Sequence, residues 1–382
     1  MTDVKGIGAL RIVEILRGWN AWDRDLPTGT RRERTSHIFR FLASGKLISI
    51  FGVRRSGKSY IMRQLAKEAI DRAGEGEGTL MINFEEPEFD DCTLEDLQRI
   101  YRAYRDVVAP KERPFIFLDE IQNVPRWERF ARAMQEKGEA HVIVSGSSSK
   151  LLSEELSTVL AGRQLKFEVF PLGFKEFLRF RGLEIKDEKD VAFNAEKIRS
   201  GFYEYLRFGG LPEIVLSSDE DFKLRAVKGY YDDILIKDVV ARFGVQKLDK
   251  MRSLAKYYLT NACSPITFNR ASRFTGESVE TIRRYTEHLC SSRCIFFLTR
   301  HSFSVKEQEN SPRIVYSIDP YLSSAVGFRF SENRGKILEN VIAIELLRRQ
   351  SMDETMEVYY WKDRTGQEVD LVIKRGLKVG EL

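Results

Sequence analysis

The sequence predicts an α/β protein with a parallel sheet at its core, and three observations predict it. Short apolar runs recur at 47–51, 80–84, 115–118, 142–144 and 165–170. Longer amphipathic stretches, at 59–73, 93–108 and 126–135, separate most of them. The first run leads straight into a glycine-containing segment that opens the first of these stretches. Short apolar runs alternating with helical periodicity are the pattern of buried parallel strands joined by helical crossovers.

Composition bounds the rest. At roughly 100–200 residues per domain, a chain of 382 residues holds two to four of them. A hydrophobic content of 42% with 25 phenylalanines excludes wholesale disorder. No stretch approaches the roughly 18 uninterrupted apolar residues of a membrane helix, so no membrane partner is expected. Sixty-two basic against 57 acidic residues leave a net charge of +5, too mild to demand nucleic acid by itself. Four cysteines make no disulfide framework. With a charged N-terminus that lacks a signal-peptide core, they fit a reducing, cytoplasmic setting.

Taken in order, residues 1–40 read as an N-terminal arm, with Trp19 and Trp22 as hydrophobic anchors and Pro27 and Gly29 as breakers. Residues 41–170 hold the alternating core. Pro171 and Gly173 punctuate its end, and a mostly helical region, 171–245, follows with a turn at Gly209-Gly210-Leu211-Pro212. Residues 246–320 contain a helix–turn–helix pattern, 269–274 and 278–291 around Thr275-Gly276, with 295–298 and 313–318 as strands of a wing. Residues 321–382 supply an amphipathic helix, 335–349, and two β segments, 358–361 and 368–373, around a polar turn at 362–367.

The glycine segment carries the first chemistry. Gly52-Val53-Arg54-Arg55-Ser56-Gly57-Lys58-Ser59 matches G-x-x-x-x-G-K-[ST], after a strand and before a helix, which makes this a P-loop NTPase core. The glycines let backbone N–H groups turn around phosphate oxygens. Lys58 is placed to reach the β- and γ-phosphates, Ser59 to ligate Mg²⁺, and Tyr60 completes the nucleotide-contacting segment. The apolar run at 115–118 then delivers Asp119 to the Mg²⁺ shell and Glu120 to polarise the attacking water. A glutamate after the aspartate favours hydrolysis over transfer to an acceptor. No guanine-reading N-K-x-D is present, so the base expected is adenine and the cofactors are ATP and Mg²⁺. The strand at 142–144 should lie between the phosphate-loop strand and the acid-pair strand, with Ser147 or Ser148 at its tip facing the γ-phosphate. Arg163, in Ala161-Gly162-Arg163, is a candidate finger on transition-state charge, in cis or from a neighbouring subunit of a homo-oligomer.

These motifs together resemble the archaeal and bacterial AAA-type (ASCE-class) P-loop ATPases that carry a C-terminal domain of unknown function. The matching residues are the loop with its paired arginines, FLDEIQ at 117–122, SGSSS at 145–149 and AGR at 161–163. FPLGFKEF at 170–177, FGGLP at 208–212, 316–319 and EVD at 368–370 extend the match over about residues 45 to 382. The resemblance implies an ATPase core, a helical lid over 171–245, a winged helix over 246–320 and a domain over 321–382 similar to restriction endonucleases. It also implies that Glu339, Asp370 and Glu381 correspond to nuclease acids. The chain stops at Leu382, so the lysine after the last acid is missing, and these acids are expected to be vestigial on an end with little to pair against.

The helix–turn–helix segment, 269–301, holds six arginines against three glutamates, and Arg283 and Arg284 lie on its second helix, where DNA contacts would be made. One expectation is therefore an ATPase that couples nucleotide state to DNA binding or remodelling. The alternative is a signalling ATPase that gates protein–protein assembly and never touches DNA.

Overall fold

Each of the five apolar runs forms a strand in the computed structural model, which describes residues 7–147, 160–328, 333–363, 365–376 and 378–381. The strands are β1 (Leu47–Gly52), β2 (Thr79–Asn83), β3 (Phe115–Asp119), β4 (His141–Ser147) and β5 (Gln164–Glu168). They form one parallel sheet in the order β2-β3-β4-β1-β5. The chain divides into two compact units, 1–52 with 57–169, and 53–56 with 170–382.

In the first unit, strand alternation sorts side chains to two buried faces. Ile50, Phe117 and Ile143 face one side, with the helices α1 (Ala9–Arg17), α2 (Glu33–Phe39) and α3 (Lys58–Ala73) divided between the two faces: α2 and α3 lie here. Phe51, Leu118 and Val144 face the other side, packed with α1, α4 (Leu94–Ala103) and α5 (Trp127–Glu136). Burying each such side chain contributes about 1.5–3 kcal/mol. A reciprocal cap starts α4: the Asp96 N–H donates to Thr93 Oγ1 at 3.2 Å, and the Thr93 N–H donates to Asp96 Oδ2 at 3.1 Å. The N-terminal arm covers the outer edge of β2. Asn20 accepts from the Met81 N–H at 2.6 Å and donates to the Met81 carbonyl at 3.0 Å, as a paired strand would. Trp22 donates to the Thr79 carbonyl and stacks on Tyr104.

The second unit is helical over α6 (Phe174–Phe180), α7 (Glu188–Phe193), α8 (Ala195–Phe208), α9 (Pro212–Leu216) and α10 (Glu220–Asp233). A π-helical turn, Ile234–Val240, continues α10. The turn between α8 and α9 has a physical requirement for glycine. Gly209 has φ 70°, and a Cβ there would lie 2.1 Å from Asp319 Oδ1. Asp319 is buried and accepts from the N–H groups of Gly210 (2.7 Å), Tyr321 (2.9 Å) and Leu322 (3.3 Å). Burial pushes its carboxyl up to about 6, against the opposing pull of those donors.

After α11 (Leu248–Thr260), the helices α12 (Phe268–Thr275) and α13 (Val279–Ser291) occupy the segments expected for a helix–turn–helix. The strands β6 (Ser264–Ile266), β7 (Ile295–Leu298) and β8 (Arg313–Ser317) form an antiparallel sheet in the order β6-β8-β7. The short α14 (Val305–Asn310), then α15 (Pro320–Val326) and α16 (Arg334–Gln350), precede β9 (Met356–Lys362), β10 (Glu368–Arg375) and β11 (Lys378–Glu381). The chain end corrects an expectation. β11 pairs antiparallel with β10 from Arg375↔Lys378 to Val372↔Glu381, because Gly376 at φ 58° turns the chain back on itself.

Candidate nucleotide-binding site

The site lies at the carboxyl end of the parallel strands, where open α/β sheets present their loops. β1 runs into Gly52, whose absent Cβ would stand 2.1 Å from the Val169 carbonyl oxygen, so only glycine fits. The Ser56 N–H then donates to the Val53 carbonyl, and Arg55 (φ 66°) and Gly57 (φ 96°) take left-handed backbone. Helix α3 begins at Lys58 with no acidic residue in its first turn. Its first N–H groups have no acceptor within the helix and add to the positive end of its dipole, a setting that favours an anion. Lys58 is only 6% exposed, and its ammonium donates to the Gly52 carbonyl at 3.2 Å.

Asp119 ends β3, which β4 separates from β1, and Glu120 follows it. Phe117 pairs with Ile143 across β3 and β4, which sets Asp119 beside Ser145 on the face that α3 covers. Ser145 donates its hydroxyl hydrogen to Asp119 Oδ1, and the Glu120 N–H donates to Ser145 Oγ at 3.4 Å. Ser145 was not singled out by sequence, which pointed to Ser147 or Ser148. The signal that could have found it is the period of two: Ser145 stands two residues beyond Ile143, as Asp119 stands two beyond Phe117. Ser147 is buried at the end of β4 and pairs in register with Gly52. Ser148 lies outside the described residues.

Glu120 takes left-handed backbone (φ 53°, ψ 40°) and starts a tight turn, Ile121–Asn123. Its carboxylate accepts from the Gln122 side-chain amide. Burial raises the Glu120 pKa, with the nearby Lys58 charge opposing and Asp119 reinforcing the shift. Lys58 and Asp119 thus both act on the Glu120 carboxylate. The Ser59 hydroxyl and the Asp119 carboxylate are oxygen donors, the kind a hard cation such as Mg²⁺ takes.

The loop arginines have partners within the second unit. Arg54 makes two hydrogen bonds of 3.2 Å to the buried carboxylate of Asp238 on the π-helical turn. Arg55 lies over the Tyr230 ring, 5.3 Å from its centre, and 3.8 Å from Glu213. Tyr60 is exposed, with the Arg63 guanidinium over its ring.

Arg163 requires a correction. Its carbonyl accepts from the Leu47 N–H, at the start of β1, and its guanidinium pairs with Glu136 at 3.2 Å. At about 3.3 Å per strand residue, that end of the sheet is roughly 16 Å from the loop after Gly52. A finger in cis is therefore out of reach, because β5 runs parallel to β1 and its first residue lies at the opposite edge.

Comparison with known proteins matches this geometry. The model of an AAA domain covers residues 44–178. The uncharacterized protein MJ1544 of Methanocaldococcus jannaschii is 33% identical over 337 residues, 87% of this chain and 73% of that one. The chain belongs to the family of that protein and carries an AAA domain. An uncharacterized protein of Haemophilus influenzae is 27% identical over 84% of this AAA protein and 79% of its own length. The fold is similar to that of the Walker-type ATPase PABY2304 of Pyrococcus abyssi, with a TM-score of 0.51 at 16% identity, over 78% of this chain and 96% of that one. Beyond the ATPase core, residues 199–331 and 334–380 match two domains of unknown function, DUF8612 and DUF4143. An endonuclease-like or winged-helix assignment does not follow from those descriptions.

The acids expected near the chain end are only partly gathered. Tyr316 donates its hydroxyl to Glu339 at 2.8 Å, and burial with nearby Asp370 pushes the Glu339 carboxyl up to about 7. Asp370 itself is exposed. The Glu381 backbone pairs with Val372, and its side chain lies outside the described residues. No cluster of three metal-ligating side chains exists among the described residues. Arg283 and Arg284 stand exposed on α13, with Arg283 over the Phe268 ring.

Proposed function

We propose that this protein binds ATP with Mg²⁺, hydrolyses it, and couples the nucleotide state to DNA binding through a winged helix formed by α12, α13 and the β6-β8-β7 sheet. The observation that carries the hydrolytic reading is the buried Lys58 ammonium set by the phosphate loop beside a buried Asp119–Glu120 pair. Lys58 and the first N–H groups of α3 hold the phosphate oxygens and offset the charge that grows on them. Glu120 takes the proton of the attacking water, and burial shifts its pKa upward, the direction that favours accepting it. Ser59 and Asp119 would hold Mg²⁺, which would supply further positive charge at the transferring phosphoryl oxygens. Ser145 holds Asp119 in place through its hydroxyl. The DNA reading is supported by the exposed Arg283 and Arg284 on α13.

Nucleotide titration and turnover of Lys58→Ala test the site. The variant should lose most of its affinity for ATP, since the buried ammonium there has no substitute. Parent-like binding and turnover would remove the assignment. Turnover that duplex DNA stimulates would support the coupling, whereas nucleotide-dependent assembly indifferent to DNA would favour a protein-gating switch.

A further inference from the structure

Glu120 leaves β3 in left-handed backbone that a residue with a side chain rarely adopts, and a single tight turn follows. Residues two apart do not face each other on a regular helix. Here the turn, closed by the Asn123 N–H on the Glu120 carbonyl at 3.1 Å, brings the Gln122 amide back onto the Glu120 carboxylate. The orientation of that amide is fixed by chemistry. Rotated by 180°, it would set its oxygen against a carboxylate oxygen, two acceptors facing each other. With the NH₂ on Glu120, the Gln122 Oε1 atom is buried and has no hydrogen-bond partner among the described residues. A glutamine packed for its own stability would have both ends satisfied. The neighbouring amides are engaged elsewhere: Asn83 donates to Glu86 at 3.2 Å, and Asn123 donates to the Phe84 carbonyl at 3.0 Å.

We infer that Gln122 is a positioning residue for hydrolysis: its side-chain amide fixes the Glu120 carboxylate in the orientation from which it takes the proton of the attacking water. This rests on the reading of Glu120 as the base. Without the amide, the Glu120 carboxylate is free to rotate on a backbone that already departs from the strand, and its alignment with the water is lost.

Steady-state ATP hydrolysis is measured for Gln122→Met, Gln122→Asn, Glu120→Gln and the Glu120→Gln/Gln122→Met double variant. Methionine keeps the length and bulk and removes the donor; asparagine keeps the donor one methylene short. The expected result is a kcat about tenfold or more lower for Gln122→Met, with KM for ATP unchanged, and partial recovery for Gln122→Asn. In the Glu120→Gln background, Gln122→Met should add no further loss, because it acts only through Glu120. A parent-like kcat for Gln122→Met, or losses that multiply in the double variant, would overturn the inference. Parent-like turnover of Glu120→Gln alone would instead overturn the reading of Glu120 on which it rests. A kcat loss in Gln122→Met matched by an equal loss of nucleotide affinity would assign Gln122 to the loop's structure and also overturn the inference.

Discussion

The two acidic groups of this chain, one at the end of β3 and one on α16 and β10, are built on different physics. Asp119 and Glu120 are 2% and 8% exposed, and each carboxylate accepts from a specific side chain, Ser145 or Gln122. Glu339 is half-buried against Tyr316, while Asp370 lies exposed on β10. Burial beside a second acid raises the pKa of both Glu120 and Glu339, and their donors, Gln122 and Tyr316, oppose that rise. The difference is that Asp119 and Glu120 are both buried with a donor each, whereas Asp370 faces solvent. The first arrangement suits a base that must stay aligned. The second suits a group that titrates.

The sharpest way to break the contrast is Glu120→Gln. It keeps the shape and removes the base, so ATP should still bind while turnover falls by about 10²-fold or more. Rapid-quench hydrolysis beside equilibrium nucleotide binding reads the two separately, and equal losses in both would make Glu120 structural.

Exposed charges extend the comparison to groups that face solvent. Arg283→Ala with Arg284→Ala should leave basal ATP turnover unchanged and weaken DNA binding. The slope of log affinity against log salt should flatten by about one to two units, as fluorescence anisotropy at several salt concentrations would register. An unchanged slope would favour the protein-gating reading.

Glu339 offers a smaller effect with a defined sign. Its folded pKa, about 7, stands above its ordinary value of 4.5. Its contribution to stability is therefore complete below about 4.5 and is lost as pH rises through about 7. Relative to Glu339→Gln, the parent should gain melting temperature at pH 5 over pH 8. A difference that grows toward high pH would reverse the assignment. The smallest effect belongs to Asp370→Ala, which should change neither ATP turnover nor plasmid integrity with Mg²⁺ or Mn²⁺. Cleavage abolished by this substitution would place a working nuclease on β10.

The sheet was legible because its strands are buried on both faces and so read as short apolar runs, such as 47–51 and 115–118. The phosphate loop and the acid pair were legible because their chemistry tolerates few residue types at fixed spacing. Ser145 was less visible, since its role depends on the register between β3 and β4, which two separated segments do not encode locally. Gln122 escaped for a related reason: its contact with Glu120 needs the left-handed turn that no regular periodicity announces. The cis reading of Arg163 failed because distance along the chain says nothing about which end of a parallel strand the chain has reached. β11 escaped because four residues after a turn are too few to show a pattern.

The carboxylate that holds the Gly209-Gly210 turn has a consequence in time. Asp319 comes 109 residues after the Gly210 amide that donates to it. At roughly 5–20 residues per second of synthesis, about 5–20 s separate their appearance on the ribosome. By then every strand of the parallel sheet has long been made, since β5 ends at Glu168. The segment around Gly209 must therefore wait, its glycine backbone uncommitted, for an acid that closes it from the far side of the sequence. A nascent chain halted at residue 318 should be cut readily by protease near 209–212, and one halted after α15 should resist.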